Sequence, residues 1–294
     1  MSTEVIHDIM NLKEVCSRMR IDAHQHYWKI DRGDYGWITP ELPVLYRDYL
    51  PADLEPLLNK QELDGSILVQ AAPSVDETNF ILSIADQSSS VLGVVGWLDL
   101  FDPDHRKYYD QFRRNPKYKG FRIMIQDMPD ASRILEPAFV EALRSYAAED
   151  VPVDLLLVEG QMEAVLELVR KVPNLRGVID HMAKPPIKNK ELEPWKLCLN
   201  EFAQYPGIYC KISGMVTEAD HAQWSKEDFI PYIQTALGAF GPKRVMFGSD
   251  WPVCLLAAEY TEVVEILLNS IPETWGKRER ERLFGSNAKE FYKL

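Results

Sequence analysis

The sequence predicts a single-domain α/β fold of the (β/α)8, or TIM-barrel, type. Eight short runs rich in Val, Ile and Leu recur along the chain and are almost continuously apolar, which is typical of parallel strands covered on both faces. Segments with a helical pattern separate the runs, as in consecutive βαβ units, and eight such units in about 250 residues match the size of this barrel. The runs are Met19–His26, Ser66–Ala72, Val91–Leu100, Lys119–Ile125, Val151–Val158, Leu175–Met182, Ile208–Gly214 and Val245–Asp250.

The segments between the runs carry apolar residues at three- and four-residue steps, the spacing of amphipathic helices. This pattern predicts helices at Leu135–Ala148 and Met162–Val172, and two more at Ala258–Ser270 and Lys277–Tyr292 after the eighth run. An open, doubly wound sheet is the alternative architecture. It usually has fewer strands and often a Gly-rich first turn, and no such turn follows Met19–His26.

Residues 1–18 are predicted to form an arm ahead of the barrel, which would occupy residues 19–294. Apolar residues in the arm recur at helical spacing and predict a short helix. They are Val5, Ile9, Leu12 and Val15. No linker or low-complexity tract divides the rest of the chain. The long aromatic stretch Tyr27–Tyr49 is predicted to be a structured loop, and such loops are often binding loops or lids.

The composition is that of a globular protein. Of the 294 residues, 46% are hydrophobic and 27% are charged, which excludes an intrinsically disordered chain. The formal charge of −12 makes nucleic acid and anionic membranes unexpected partners. The densest basic run, Lys277–Arg282, alternates in sign and predicts a solvated helix face. The expected partner is a small-molecule substrate, and the sequence is compatible with a homo-oligomer.

The four cysteines form no C-x-x-C pair, which excludes a zinc knuckle or a thioredoxin-like site. The first twenty residues lack the apolar core of a signal peptide, and no apolar run approaches the ~20 residues that span a bilayer. We therefore expect a cytoplasmic protein with free thiols.

The strongest candidate site residues are His24 and His26, at the end of the first run. In a (β/α)8 barrel the C-terminal ends of the strands form the active face. Residues two apart on a strand point the same way, so both imidazoles can face the barrel mouth. Neutral imidazoles bind Zn²⁺ and related ions. The alternative is a pair of histidines hydrogen-bonded in a polar barrel end.

Asp250 ends the eighth run. The first and last strands are neighbours in a closed barrel, so its carboxylate is predicted to approach His24 and His26. There it could ligate a metal ion, take a proton from a bound water, or do both. The alternative is that Asp250 caps the next helix, because Pro252 follows closely and proline favours a first helical turn.

Further candidates also lie at strand ends. His181 ends the sixth run and could ligate metal, donate to a substrate oxygen or be buried. The guanidinium of Arg122 suits a carbonyl oxygen or a carboxylate. The remaining substrate-binding candidates are polar side chains and aromatic rings that could stack on a sugar. They are Gln70, Lys211, Tyr27, Trp28, Trp37 and Trp251.

Together these motifs resemble the amidohydrolase superfamily, whose marks are H-x-H on strand one, a later histidine and an aspartate on strand eight. The likeness is closest to the "amidohydrolase 2" branch, and within it to sugar-acid lactonases of the L-fuconolactonase and L-rhamnonolactonase type. It covers about Arg20–Leu294. The segments that carry it are Asp22–Trp28, Val69–Ala71, Gly93–Leu100, Lys119–Arg122, Asp180–His181, Cys210–Gly214 and Phe247–Cys254.

The resemblance implies a distorted (β/α)8 barrel that hydrolyses a lactone. By motif match, His24, His26 and Asp250 correspond to metal-site or water-site residues of the family. His181 and Arg122 match residues that contact the substrate or its carbonyl oxygen.

The sequence departs from the wider superfamily at the fifth run, which carries no histidine at its end. A two-metal site bridged by a carboxylated lysine is therefore not expected. The resemblance implies at most one divalent ion, with zinc favoured. Relatives that hydrolyse pyrone dicarboxylates work without metal, so a metal-free site is the alternative.

The predicted reaction is the opening of L-fucono-, L-galactono- or L-rhamnonolactone by water, with Asp250 as general base and then acid. Pyrone dicarboxylates are dianions and would need several cations, whereas Arg122 is the one arginine at a strand end. A metal-dependent decarboxylase of an aromatic or enol acid is a second candidate function, and a barrel that binds a ligand without catalysis is a third.

Overall fold

The computed structural model describes residues 19–294, and the predicted arm lies outside the described residues. Eight parallel strands form one sheet in the order β1 to β8. The predicted (β/α)8 barrel is confirmed, and each apolar run overlaps one strand. The strands are β1 (Ile21–Gln25), β2 (Gly65–Val69), β3 (Val91–Trp97), β4 (Tyr118–Met124), β5 (Val153–Leu156), β6 (Gly177–Ile179), β7 (Ile208–Ile212) and β8 (Val245–Phe247).

Helices cover the outside of the sheet. The predicted helices at Leu135–Ala148, Met162–Val172 and Ala258–Ser270 are confirmed as the helices Pro137–Ala148, Met162–Lys171 and Tyr260–Ser270. The α-helices of residues 19–294 are α1 (Pro51–Lys60), α2 (Val75–Gln87), α3 (His105–Phe112), α4 (Pro137–Ala148), α5 (Met162–Lys171), α6 (Trp195–Phe202), α7 (Lys226–Phe240), α8 (Tyr260–Ser270), α9 (Lys277–Glu281) and α10 (Asn287–Tyr292). None of these helices is long and apolar enough to cross a membrane.

The last predicted helix, Lys277–Tyr292, is divided by the π-helical segment Arg282–Ser286. Gly285 lies in this segment against the backbone of Met19, where a Cβ atom would come within 1.8 Å of the Met19 carbonyl oxygen. A glycine is therefore required where the chain enters the barrel.

The barrel interior below the mouth is apolar. Inward side chains from five strands form one buried cluster, and Phe291 and Tyr292 of α10 close its lower end. The strand residues are Ile21, Ala23, Ile67, Val69, Val95, Val178 and Met246. The register of β1 against β2 shifts between Asp22 and Gln25. Because of this irregularity the adjacent residues Ala23 and His24 both face inward. Such a bulge redirects a side chain, here towards the mouth.

The barrel closes between its first and last strands. The amide of Asp250 donates to the carbonyl of His24 at 2.9 Å, and the amide of His26 donates to the carbonyl of Trp251 at 2.8 Å. The buried carboxylate of Asp22 reinforces this junction, since it accepts from the Ser249 amide at 2.9 Å.

The same carboxylate ties the junction to α8, because it also accepts from the hydroxyl of Tyr260 at 2.9 Å. Burial raises the pKa of Asp22, and the hydrogen bonds from Ser249, His24 and Tyr260 partly offset this effect. The charged form of Asp22 therefore depends on these donors.

We expect Tyr260→Phe to lower the free energy of unfolding in urea by about 1.5–3 kcal/mol, the usual contribution of a hydrogen bond to a charged group. Tyr46→Phe is the matched control, because its ring is 44% exposed, and it should change stability by less than about 0.5 kcal/mol. Equal effects of the two changes would contradict a stabilising role for the Tyr260–Asp22 bond.

Candidate active site

The strand ends predicted to carry the chemistry converge on a cavity of about 370 Å³ at the C-terminal mouth of the barrel. Its floor holds His26, His181 and Asp250, with Arg122 on one side. Loops after the strands supply the remaining wall. The other lining residues are Trp37, Ala71, Met124, Gln126, Asp127, Leu156, Lys184, Thr217, Glu218, His221, Val253 and Leu256.

Three buried side chains on the floor could hold a metal ion: His24, His26 and Asp250. The two Nε2 atoms are 3.2 Å apart, and Oδ1 of Asp250 lies 3.3 Å from Nε2 of His26 and 3.8 Å from Nε2 of His24. Zinc bonds of ~2.0–2.1 Å in a tetrahedron imply ligand atoms about 3.3 Å apart. The donor set therefore fits one zinc-sized ion.

The hydrogen bond of the other ring nitrogen sets the tautomer of His26. Its Nδ1 lies 2.8 Å from the carbonyl oxygen of Val69, which can only accept. Nδ1 therefore carries a proton, and Nε2 is the nitrogen that faces His24 and Asp250. An outer hydrogen bond of this kind is usual for a histidine that ligates metal.

A second trio with metal-binding groups consists of His24, Asp180 and His181. Asp180 already has two cationic neighbours, since Nζ of Lys211 lies 3.0 Å from Oδ1 and Nη1 of Arg122 lies 3.5 Å from Oδ2. These cations would repel a metal ion. The geometry therefore favours His24, His26 and Asp250 as the candidate metal ligands.

A buried chain of charges lies beneath the cavity floor. Nζ of Lys211 donates to the carboxylate of Asp154, and it lies 3.0 Å from Asp180 and 3.2 Å from Nδ1 of His24. The hydroxyl of Tyr292 donates to Asp154 at 2.9 Å. This chain supports His24 from the side opposite Asp250.

Backbone conformation brings Asp250 and His181 to the floor. Asp250 has φ of 57°, and the four residues His181–Lys184 have φ between 51° and 59°. The left-handed region costs a residue with a side chain roughly 1–2 kcal/mol. Such strain is typical of functional sites, and it also shows that Asp250 does not serve as an ordinary helix cap.

Gly214 allows His181 to occupy its position. Its φ is +61°, and a Cβ atom there would lie 2.5 Å from Nδ1 of His181. The same Nδ1 lies 2.9 Å from Oγ of Ser213, and Nε2 lies 3.9 Å from Oδ1 of Asp250. The loop after β7 thus determines where His181 points.

The electrostatics favour an ionised Asp250 beside the neutral imidazoles of His24 and His181. Burial alone would raise the pKa of Asp250, but His181, His26 and His24 outweigh this effect and hold it well below its usual value. Burial lowers the pKa of His181 to about 4, although Asp250 opposes the shift. Burial and Lys211 also hold the pKa of His24 well below its ordinary value. At neutral pH the site therefore offers an ionised Asp250 carboxylate beside the neutral imidazoles of His24 and His181.

Of the residues predicted to bind substrate, Trp37 lines the cavity, where its Nε1 donates to the Ala71 carbonyl at 2.9 Å. The predicted stacking role of the other aromatic residues is not supported, because their rings are almost fully buried and present no face to a sugar. They are Tyr27, Trp28 and Trp251. Trp28 packs edge-on against Trp37 and Tyr49, so these rings hold the long loop together.

The two polar candidates also lie outside the cavity lining. Gln70 is fully buried and accepts from Arg122 at 2.8 Å, and Lys211 is fully buried in the charge chain beneath the floor. Both orient neighbouring groups, and the predicted direct contact of either with substrate is not supported by this geometry.

Sequence reasoning missed several polar residues of the site. Lys184, Glu218 and His221 lie on the loops after β6 and β7 and line the cavity; Nζ of Lys184 is 3.7 Å from Oε1 of Glu218. Loop sequences have no periodic pattern from which the position of a side chain at the cavity could be predicted. Asp180 belongs to the strand-end motif Asp180–His181, although the sequence predicts no role for it.

The model of the amidohydrolase family known as Amidohydro_2 matches residues 21–294. This chain belongs to the amidohydrolase family. It is 37% identical over 279 residues to an L-fucono-1,5-lactonase of Burkholderia ambifaria, covering 94% of this chain and 96% of the relative. It is 38% identical over 286 residues to an L-fucono-1,5-lactonase of Burkholderia multivorans, with the same two coverages. The predicted family and enzyme class are confirmed.

The fold of this amidohydrolase also matches solved structures. A crystal structure of an amidohydrolase from Burkholderia multivorans with bound zinc has a TM-score of 0.89 and 38% sequence identity, covering 94% of this chain and 99% of that chain. The zinc bound in that relative is an ion that a donor set of two histidines and a carboxylate can hold.

We expect Lys211→Met to lower the free energy of unfolding by about 3–5 kcal/mol, because Asp154 and Asp180 would be left buried without their shared cation. Lys226→Met is the matched control, since Lys226 pairs with Glu265 at 2.6 Å on the surface and such a pair contributes at most about 1 kcal/mol. Urea unfolding measures both values. A small effect of Lys211→Met would contradict the stabilising role of Lys211 among the buried charges.

Proposed function

We propose that this amidohydrolase hydrolyses a sugar-derived lactone, namely L-fucono-, L-galactono- or L-rhamnonolactone, to the aldonic acid. The observation that carries the proposal is the buried Asp250 carboxylate, which faces three imidazoles at the base of a cavity. The two L-fucono-1,5-lactonases at 37–38% identity support the substrate class.

Asp250 acts on the attacking water in this proposal. Its carboxylate is ionised at neutral pH and accepts the proton as the water oxygen attacks the lactone carbonyl carbon. When the carbon–oxygen bond of the ring breaks, the same carboxyl group returns the proton to the departing ring oxygen. One residue therefore moves the proton from the nucleophile to the leaving group.

His24 and His26 fix the position of the water beside Asp250, and with Asp250 they would hold one divalent ion, for which zinc is the best fit. Such an ion, when bound, supplies Lewis acidity and lowers the pKa of a water towards ~7. The carbonyl of Val69 keeps the His26 lone pair directed inward.

His181 and Arg122 stabilise the negative charge that develops on the carbonyl oxygen. His181 is neutral because burial lowers its pKa to about 4. In this proposal Nδ1 of His181 accepts from the Ser213 hydroxyl, whose oxygen lies 2.9 Å away, so that Nε2 carries the proton and can donate into the cavity. Gln70 and Asp180 hold the guanidinium of Arg122 at the cavity wall.

The charges in the cavity favour a neutral lactone over a dianionic pyrone dicarboxylate. The cationic residues on its lining are Arg122 and Lys184, and both lie close to carboxylates, of Asp180 and Glu218 respectively. Asp127 and Asp250 add further negative charge. A substrate with two carboxylates would meet no surplus of positive charge.

We expect Asp250→Asn to lower lactone turnover by about 10²–10⁴-fold, because the amide accepts no proton. A pH-indicator assay on a panel of aldono-1,4- and 1,5-lactones measures the loss. Asp86→Asn, on the exposed surface of α2, is the control and should retain full turnover. The zinc content of Asp250→Asn separates loss of the base from loss of a ligand.

Turnover of Asp250→Asn at the wild-type rate would contradict the assignment of the base. Failure of the wild-type protein to open any lactone, together with release of carbon dioxide from an aromatic acid, would contradict the proposed reaction as a whole.

A further inference from the structure

A buried carboxylate, that of Glu77, joins two loops beside the catalytic cavity. Glu77 lies in the first turn of α2, and its side chain is fully buried. Its Oε1 accepts from the amide of Ala71 at 3.0 Å, and its Oε2 accepts from the hydroxyl of Tyr35 at 2.7 Å. Ala71 lies just after β2, whereas Tyr35 belongs to the long loop 27–49. The carboxylate therefore bonds one group of each loop.

The carboxylate of Glu77 does not have the usual role of a glutamate at the start of a helix. Ser74 and Glu77 have the spacing of a capping box, in which the glutamate side chain returns to the amide of the first residue. The Ser74 hydroxyl does accept from the Glu77 amide at 3.0 Å. The Ser74 amide, however, donates to the Ala72 carbonyl at 2.9 Å. The Glu77 carboxylate is thereby left available for Ala71 and Tyr35.

A third hydrogen bond continues from Ala71 to Trp37. Nε1 of the Trp37 indole donates to the Ala71 carbonyl at 2.9 Å. Trp37 and Ala71 both line the cavity, and the indole of Trp37 is partly exposed there. Three hydrogen bonds therefore link the buried Glu77 carboxylate and Tyr35 to the wall of the cavity.

The packing of Trp28 couples Tyr35 to Trp37 a second time. The ring centre of Trp28 lies 6.2 Å from that of Tyr35 and 5.5 Å from that of Trp37. Nε1 of Trp28 donates to the carbonyl of Arg47 at 2.8 Å, which holds this ring in the loop. A displacement of Tyr35 would therefore disturb the position of Trp37.

The burial of Glu77 has a cost that its neighbours offset only in part. Burial raises the pKa of Glu77 to about 6, although the hydrogen bonds from Tyr35 and Ala71 oppose the shift. Nη2 of Arg32 lies 4.0 Å from Oε2 of Glu77, but the same nitrogen already pairs with Asp34. An apolar side chain would avoid the cost of a buried charge. It would also leave the Ala71 amide and the Tyr35 hydroxyl without their acceptor.

We propose that Glu77 is a positioning residue of the substrate site, which acts through Tyr35 and Ala71 to hold the Trp37 indole in the cavity wall. Apolar contact of the fixed ring with the C–H groups of a sugar then contributes to substrate affinity. This contribution rests on the proposed lactone hydrolysis, because a sugar ring must lie against Trp37.

Tyr35→Phe tests this role, because the change removes one hydroxyl and keeps the ring. We expect the KM for the best lactone substrate to rise about three- to tenfold, the effect of a weakened ring contact. The kcat should change less than about twofold, because the contact contributes equally to binding of the substrate and of the transition state. Tyr46→Phe is the matched control, since Tyr46 lies on the same loop with an exposed ring, and its KM should equal that of the wild type.

A double-mutant cycle shows whether Tyr35 acts through Trp37. Trp37→Ala should raise the KM by itself, and the addition of Tyr35→Phe to this variant should have little further effect. Changes that act through one shared group are not additive, whereas independent changes are.

Two changes of Glu77 separate its hydrogen bonds from its volume. Glu77→Gln keeps an oxygen for the Ala71 amide and brings an N–H group to the oxygen of Tyr35, so most of the wild-type affinity should remain. Glu77→Leu provides neither group and should raise the KM at least as much as Tyr35→Phe.

Hydrogen exchange of the Trp37 indole N–H, followed by NMR, measures the positioning without any substrate. The resonance is assigned by its absence from Trp37→Ala. Tyr35→Phe and Glu77→Leu should each speed this exchange about tenfold, because the bond to the Ala71 carbonyl opens more often. Tyr46→Phe should leave the exchange unchanged.

Unchanged exchange of the Trp37 N–H in Tyr35→Phe and Glu77→Leu would overturn the proposal. An equal rise in KM from Tyr35→Phe with and without Trp37 would also overturn it, as would a loss of stability and kcat with no change in KM. A wild-type protein that opens no lactone would instead contradict the proposed function. The contribution to substrate affinity would then be wrong as well, while the exchange data would still decide whether Glu77 positions Trp37.

Discussion

The closure of the barrel between β1 and β8 is the interaction on which the site depends. The two hydrogen bonds that make this closure come from the backbones of His24, His26, Asp250 and Trp251. Residues more than 220 positions apart in the chain are thereby brought together, and three of the four carry the side chains that we propose as metal ligands and proton acceptor. The donor set is therefore assembled only when the last strand is in place beside β1. The buried Asp22 carboxylate stabilises this arrangement.

Buried charged residues below the mouth orient His24, one of the three candidate metal ligands. Lys211 lies between Asp154, Asp180 and His24, while the apolar cluster beneath it excludes water. Charges in such surroundings interact strongly and cannot be left unpaired without a large cost. Burial lowers the pKa of His181 and keeps its imidazole neutral, whereas the neighbouring histidines lower the pKa of Asp250 and keep it ionised despite its burial. The charges at the mouth thus depend on residues outside the lining of the cavity.

Much of the fold could be predicted from the sequence, because strands buried on both faces must be apolar and the helices that cover them must be amphipathic. The position of His24, His26 and Asp250 at the mouth followed from the same topology. The bulge in β1 could not be predicted, since it depends on pairing with β2. The burial of Trp28 could not be predicted either, because loop aromatics look alike in sequence whether they pack on Tyr49 or face a ligand. Lys184 and Glu218 lie on loops whose course only the folded chain determines.

The most direct test of this account is the thermal unfolding of metal-stripped protein titrated with zinc. A ligand that binds only the folded state stabilises it by about 2.7 kcal/mol at a hundred times its Kd. Because the donor set lies on the closure itself, the account predicts that zinc raises the Tm of the wild-type protein by several degrees and restores lactone turnover, while His26→Ala shows neither response. Full turnover of the stripped protein with no change in Tm on adding zinc would contradict it.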